Sequence, residues 1–325
     1  MSDITKIAIK APNAIHEQIA CFAAIKFLYE SLDSPLIDII CLKNKPHAFD
    51  YCPHIDQVHL IEEEKDTVLG VFPWIHNNNN LFGVKAFIDF HGGAAAATMG
   101  IALKAPRRVA FATTMTKPML THGLVKEECS EFLDLQFLQL ANLIVEGEIP
   151  KKIDAPIIET SEKEKVQLQA LESYVFVAIR ASEWTRHEKI WKYWFDELSS
   201  TNLVVVVDQD IENESLKKEL SDRKGPEFFV IGSSHYKTNL LFMSAAIGVI
   251  SDSSLFANLA QFYGYKSVAL AFDLADYPSM ETVDHRAELF IERDEIITKW
   301  INGAGDGIVT DMQSSVDTLN KIFSL

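Results

Sequence analysis

Short apolar runs of strand length alternate with longer stretches of helical periodicity along the whole chain. Ile4 to Lys10 is isoleucine-rich and predicts a buried parallel strand. A turn at Pro12-Asn13 leads into a helix over Ile15 to Ser31, with Ile19, Phe22, Ala23, Phe27 and Leu28 as its apolar positions. Leu36 to Leu42 predicts a second strand, and Pro53 to Ile61 a turn and a third. Ala86 to Phe90 predicts another, and His91-Gly92-Gly93 then opens an alanine-rich helix. The charged stretch Glu159 to Lys165 marks a linker or surface helix, after which the pattern restarts. Strands are expected at Tyr174–Ile179, Leu203–Val207, Glu227–Ile231, Gly248–Ser251 and Ser267–Phe272. Helices are expected at Trp191–Leu198, Glu212–Leu220, Asn239–Ala246 and Leu255–Tyr263. Asn77 to Asn80 reads as an exposed polar loop. Strands alternating with helices argue for βαβ units and parallel sheets. The expected organisation is two α/β domains, 1–155 and 156–325, with the last helix able to pack back on the first domain. Ligands in such sheets lie outside the carboxyl ends of the strands, so the residues just after each strand are the ones to examine.

Charge narrows the partners. The 325 residues hold 30 Lys and Arg against 46 Asp and Glu, a net charge of −16. Such a surface repels phosphate backbones and anionic lipid, which argues against nucleic-acid binding. No apolar run reaches bilayer length and MSDITKIAIK lacks a signal-peptide core, so a cytoplasmic protein with no integral membrane segment is expected. Cys21, Cys41, Cys52 and Cys129 form no CxxC pair and read as free thiols of a reducing compartment.

Four strand-to-helix junctions carry candidate chemistry. In Ala11 to Gln18, His16 and Glu17 open a helix; a carboxylate there suits a general base, or merely complements the helix dipole. His91, Gly92 and Gly93 give a ligand access to backbone at a helix N-terminus, or simply make a tight turn. Ser182 to Trp191 follows Arg180 and adds Arg186 and Lys189, a concentration of positive charge that suits a diphosphate. Ser251 to Asn258 (SDSSLFAN) offers Asp252 or Ser253 as helix caps and free N–H groups for phosphate oxygens. Trp191 and Trp194 fit the core face of an amphipathic helix.

These motifs, in this order, resemble the ADP-heptose:lipopolysaccharide heptosyltransferases, glycosyltransferase family 9. The stretches that carry the likeness are EQIACFAAIKFL (17–28), CPHIDQV (52–58), FIDFHG (87–92), TRHEKIW (185–191) and DSSLFANL (252–259). The resemblance implies a GT-B fold of two Rossmann-like domains with the donor held mainly by the second. It implies a metal-independent, inverting transfer of heptose from ADP-heptose to a saccharide or glycolipid hydroxyl, in lipopolysaccharide biosynthesis. No bound cofactor is implied beyond the nucleotide-sugar co-substrate. The family's catalytic aspartate falls on Glu17 if one residue is inserted in the loop, and on His16 if none is. Its phosphate-binding lysine falls on Lys189, with Thr185 beside it, and its ribose-binding acid near Glu212. Its Asp-Thr-Gly signature falls on Asp252, Ser253 and Ser254. Ser254 replaces the glycine, and the signature histidine is absent, Asn258 standing one position late. These replacements keep open a non-catalytic homologue that acts as a binding or scaffold partner, and a GT-B enzyme of other chemistry such as an epimerase or hydrolase.

Overall fold

The computed structural model describes residues 4–45, 47–130, 132–150, 168, 173–199, 201–208, 213–223, 228–232, 236–271 and 298–302. The chain divides into two compact units, Met1–Pro156 and Ile157–Leu325.

The first unit is a six-stranded parallel sheet. Its strands are β1 (Lys6–Lys10), β2 (Leu36–Leu42), β3 (Gln57–Ile61), β4 (Ala86–Asp89), β5 (Arg107–Phe111) and β6 (His122–Leu124). They lie in the order β3-β2-β1-β4-β5-β6. Helix α1 (Ile15–Ser31) is buried continuously from Gln18 to Ile25, which is why its apolar residues fill more than one face. It packs against α4 (Leu133–Val145). Ala8, Ile40, Leu42, Ile61 and Phe87 form a core with Val71, Trp74 and Ile75 of α2 (Val71–Asn77) and Met99 of α3 (Ala94–Ala102). Side chains alternate along a strand, so Lys10 and Asp89 share the face of Ala8 and Phe87.

The second unit repeats this topology. Strands β7 (Tyr174–Arg180), β8 (Asn202–Asp208), β9 (Phe228–Gly232), β10 (Gly248–Ser251), β11 (Ser267–Ala271) and β12 (Thr298–Asn302) are ordered β12-β11-β10-β7-β8-β9. The described helices are α5 (Trp184–Glu197), α6 (Glu214–Asp222), α7 (Tyr236–Ala245) and α8 (Ser254–Tyr263). Val175, Val177, Ile179, Val205 and Ile250 pack against Trp184, Trp191, Trp194 and Phe195 of α5 and Leu216 and Leu220 of α6. Phe176 meets Phe256 of α8 with ring centroids 5.7 Å apart. Both halves are therefore Rossmann-like α/β units, as the alternation of strands and helices led us to expect.

The helix expected from Trp191 starts seven residues earlier, at Trp184. The polar run Arg186 to Lys189 hides its first turns, while Trp184 and Trp191, two turns apart, both point into the core. Strand β5 was missed because it opens on two arginines. Arg108 Nε donates to the Met119 carbonyl at 2.7 Å and Arg107 Nη1 to the Ile144 carbonyl at 2.8 Å, which gives both guanidinium groups backbone partners at the sheet. Asn77 to Asn80 closes α2 and enters a short 3-10 turn, Asn79–Leu81. The expected linker Glu159 to Lys165 and the last helix lie outside the described residues.

Candidate functional site

In both sheets the strand order reverses beside the first strand of the unit, between β1 and β4 and between β7 and β10. Such switch points leave a crevice at the carboxyl ends, where α/β sheets take ligands. Each unit carries a set of the sequence candidates in the segments that follow these strands, Glu212 excepted, which lies outside the described residues.

In the first unit the loop after β1 is built by Gln18. Its Nε2 donates to the Pro12 carbonyl at 3.1 Å, and its Oε1 accepts the Ala48 N–H at 2.9 Å. The amide thus ties the β1–α1 loop to the segment after β2. His16 and Glu17, in the first turn of α1, are half-buried. Ala14 occupies the N-cap position without a side-chain cap. His91 and Gly93 are exposed after β4, and Gly92 and Gly93 have φ of 86° and 99°. Those values are the left-handed region that glycine enters without strain.

Beneath this turn lies a charged group that the sequence reading passed over. Lys10, the last residue of β1, is fully buried, and its Nζ is 2.8 Å from Asp66 Oδ2. Lys10 is register-paired with Asp89, the last residue of β4. Asp89 is buried, and its Oδ1 accepts the Gly92 N–H at 2.7 Å. Burial raises its pKa to about 7, against the lowering effect of the Gly92 and His91 N–H groups and of the Lys10 ammonium. His91 is exposed as a residue, and its pKa is nonetheless lowered, by desolvation first and by Lys10 second, with Asp66 and Glu17 opposing. Lys10 and Asp66 therefore act on both Asp89 and His91 around the ends of β1 and β4, and Glu17 acts on His91. A lysine closing an otherwise apolar strand was the available signal for this group. Asp66 had none, because Glu-Glu-Glu-Lys-Asp reads as solvated surface.

In the second unit Arg180 ends β7 and is half-buried. Thr185 and Lys189 stand four residues apart on α5, on one helix face, and both are exposed. Arg186 lies in the same helix, and Glu212 lies outside the described residues. Asp252 is buried at the end of β10. Its Oδ1 accepts the Arg180 backbone N–H at 2.6 Å and its Oδ2 the Trp191 indole N–H at 2.9 Å. The Ser251 hydroxyl donates to the Ser253 carbonyl at 3.0 Å and accepts the Ser253 N–H at 2.9 Å. Ser253 holds the N-cap position of α8 and makes no side-chain cap hydrogen bond. Ser254 begins the helix, and Asn258 is buried within it. The structure thus gathers Arg180, Asp252 and Ser253 at one crevice. The three tryptophans at 184, 191 and 194 are all buried, which assigns them to the core.

No family model and no curated protein sequence matches the chain. Solved structures match it from end to end. A glycosyl transferase family 9 protein from Veillonella parvula superposes with a TM-score of 0.66 at 10% identity, over 99% of this chain and 98% of that one. Escherichia coli ADP-heptose lipopolysaccharide heptosyltransferase II gives 0.65 at 11% identity, over 98% of each chain. The chain has the fold of the family 9 glycosyltransferases. Escherichia coli heptosyltransferase WaaC, solved with ADP, gives 0.65 at 9% identity, over 98% of this chain and 99% of that one. The GT-B fold class expected from the motifs is thereby established at an identity of about one residue in ten. Among the described residues no helix is long and apolar enough to cross a membrane.

Proposed function

We propose that the chain is a glycosyltransferase that moves a sugar from a nucleotide-diphosphate donor of the ADP-heptose type to a saccharide or glycolipid hydroxyl. The observation that carries this reading is the β7–β10 switch point. Arg180 stands there beside an α8 N-terminus whose N-cap serine makes no side-chain cap, and Lys189 and Thr185 are exposed on α5. Unsatisfied N–H groups at a helix start hold phosphate oxygens, and a lysine offsets the charge that grows on a departing diphosphate. In this reading Lys189, Thr185, Arg180 and Arg186 hold the diphosphate, and Glu212 the ribose. Ser253, Ser254 and the start of α8 hold phosphate or sugar, with Asp252 and Asn258 fixing them from below.

On the other side of the reaction, a sugar hydroxyl is a weak nucleophile at neutral pH and gains from a base within hydrogen-bond reach. Glu17 is that base, with His16 as its rival, and His91, Gly92 and Gly93 meet the acceptor. The test is product analysis with a panel of ADP-, UDP- and GDP-sugars. Removing a positioned base costs about 10²–10⁴-fold in rate, so Glu17→Gln should lower turnover by that order and leave ADP binding unchanged. A fully active Glu17→Gln beside a dead His16→Asn would transfer the role to His16. The second reading, a non-catalytic homologue, is favoured by Asn258, which is buried where the resembling family has a histidine one position earlier. Donor binding without transfer to any acceptor would select it.

A further inference from the structure

The buried charges at the end of β1 and β4 are unequally served. The Lys10 ammonium has three N–H donors and places one on Asp66 Oδ2 at 2.8 Å. Asp66 Oδ1 and Asp89 Oδ2 are both buried and have no hydrogen-bond partner among the described residues. Asp89 stands directly across from Lys10 on the neighbouring strand and on the same sheet face. Asp66 is thus paired with the ammonium, Asp89 stands across from Lys10 in register, and each carboxyl group has one oxygen left over.

The two carboxyl groups belong to different pieces of chain. Asp66 sits in the segment between β3 and α2, where Glu63, Glu64, Lys65, Thr67, Val68 and Leu69 are exposed. Asp66 is the charged side chain of that segment that reaches Lys10. Asp89 holds the opposite piece, the His91–Gly93 turn, through the Gly92 N–H.

We propose that Lys10 is a positioning residue for the acceptor side, a single buried counter-ion for which Asp66 and Asp89 compete. The competition sets how firmly the segment 62–70 is held against the carboxyl end of β1. The acceptor-side part rests on the glycosyltransferase reading, whereas the competition itself does not.

The charged groups around Asp89 fix the direction of the effect. They are Lys10 from β1, Asp66 from the β3–α2 segment, and His91 on its own turn, which feels Glu17 of α1 in addition; β5 contributes Ala110 alongside. Asp89 is raised to about 7 by burial, so its neutral form leaves Lys10 wholly to Asp66 in mildly acidic solution. As pH rises through that value Asp89 ionises, draws on Lys10, and weakens the hold of Asp66. The segment 62–70 is therefore latched at the acid end of the window and loosened at the alkaline end.

Carboxyl-carbon NMR of Asp89 and amide hydrogen exchange of residues 62–70 test this without any substrate. Asp66→Asn removes the competing charge and leaves the shape, so the Asp89 midpoint should fall. Lys10→Met removes the shared ammonium, so the midpoint should rise. Exchange in 62–70, corrected for its intrinsic dependence, should quicken between about pH 6 and about pH 8 in the native chain and stay level in Asp89→Asn. An Asp89 midpoint unmoved by Asp66→Asn, or a corrected exchange rate equally pH-dependent in Asp89→Asn, would overturn the proposal. If Lys10→Met does not fold, Asp66→Asn carries the decision. Failure of the glycosyltransferase reading would show separately, in a donor panel with no ligand, and would leave these titrations as they are.

Discussion

Asp252 accepts the indole N–H of Trp191 at 2.9 Å, in the interior of the second unit. The same carboxylate accepts the Arg180 N–H, so one side chain joins the ends of β7 and β10 to α5, the helix that carries Thr185 and Lys189. The candidate donor residues are thus held in place by a buried hydrogen-bond junction.

That junction predicts a stability effect. Trp191→Phe keeps most of the ring volume and removes the indole donor from the buried Asp252 carboxylate. The expected cost is about 1–3 kcal/mol. Urea unfolding of the second unit measures it, and an unchanged midpoint would mean that the indole hydrogen bond contributes nothing.

The turn after β4 predicts a backbone effect. Gly93 has φ 99° and ψ 167°, a region open almost only to glycine, and a Cβ there would touch nothing within 4 Å. Gly93→Ala should destabilise the first unit by about 1–3 kcal/mol through the backbone alone. Gly100→Ala should act by a different route, since its Cβ would fall 2.7 Å from the Phe87 ring. Thermal unfolding of both variants, with Phe87→Leu as a partner change, separates the two causes: only the Gly100 variant should be rescued.

Asp89 predicts a pH dependence of unusual sign. Its folded pKa of about 7 lies above the ordinary value of 3.8, so the folded state binds more protons between the two. The stability it contributes is fully present below about 4 and is lost as pH rises through about 7. Subtracting the stability profile of Asp89→Asn from that of the native chain should leave this falling slope. A flat difference would place the Asp89 pKa at its ordinary value.

The thiols make a simpler case. Cys21, Cys41 and Cys52 are buried, and burial raises Cys41 and Cys52 to about 12. Only Cys129 is partly exposed. A native chain treated with a thiol reagent near neutral pH should react first at Cys129, with the others following only on unfolding. Early labelling of Cys21 would show that α1 opens locally.

Strand and helix periodicity located most of the sheet, and Leu36–Leu42 and Ile15–Ser31 were bounded as they stand. These elements are buried on both faces or nearly all round, so apolar residues dominate them. Legibility failed where polar side chains are satisfied inside the fold. Arg107 and Arg108 hid β5, and the polar run after Trp184 hid the start of α5. The first site suffered for the same reason. Lys10, Asp66 and Asp89 lie far apart in sequence and meet only because β1 and β4 are neighbours across the switch point. Asp252 was legible as a residue after a strand, but its bond to Trp191 depends on packing that periodicity does not specify.

Calorimetric titration with ADP tests the nucleotide-diphosphate site proposed for the second unit. The native chain should bind ADP. Lys189→Ala removes one charge-assisted contact to phosphate, worth about 1.5–3 kcal/mol, and should weaken binding about ten- to a hundredfold. Glu17→Gln should bind as the native chain does. No binding of ADP, UDP or GDP to the native chain, or equal affinity in Lys189→Ala, would rule out a diphosphate site at Lys189.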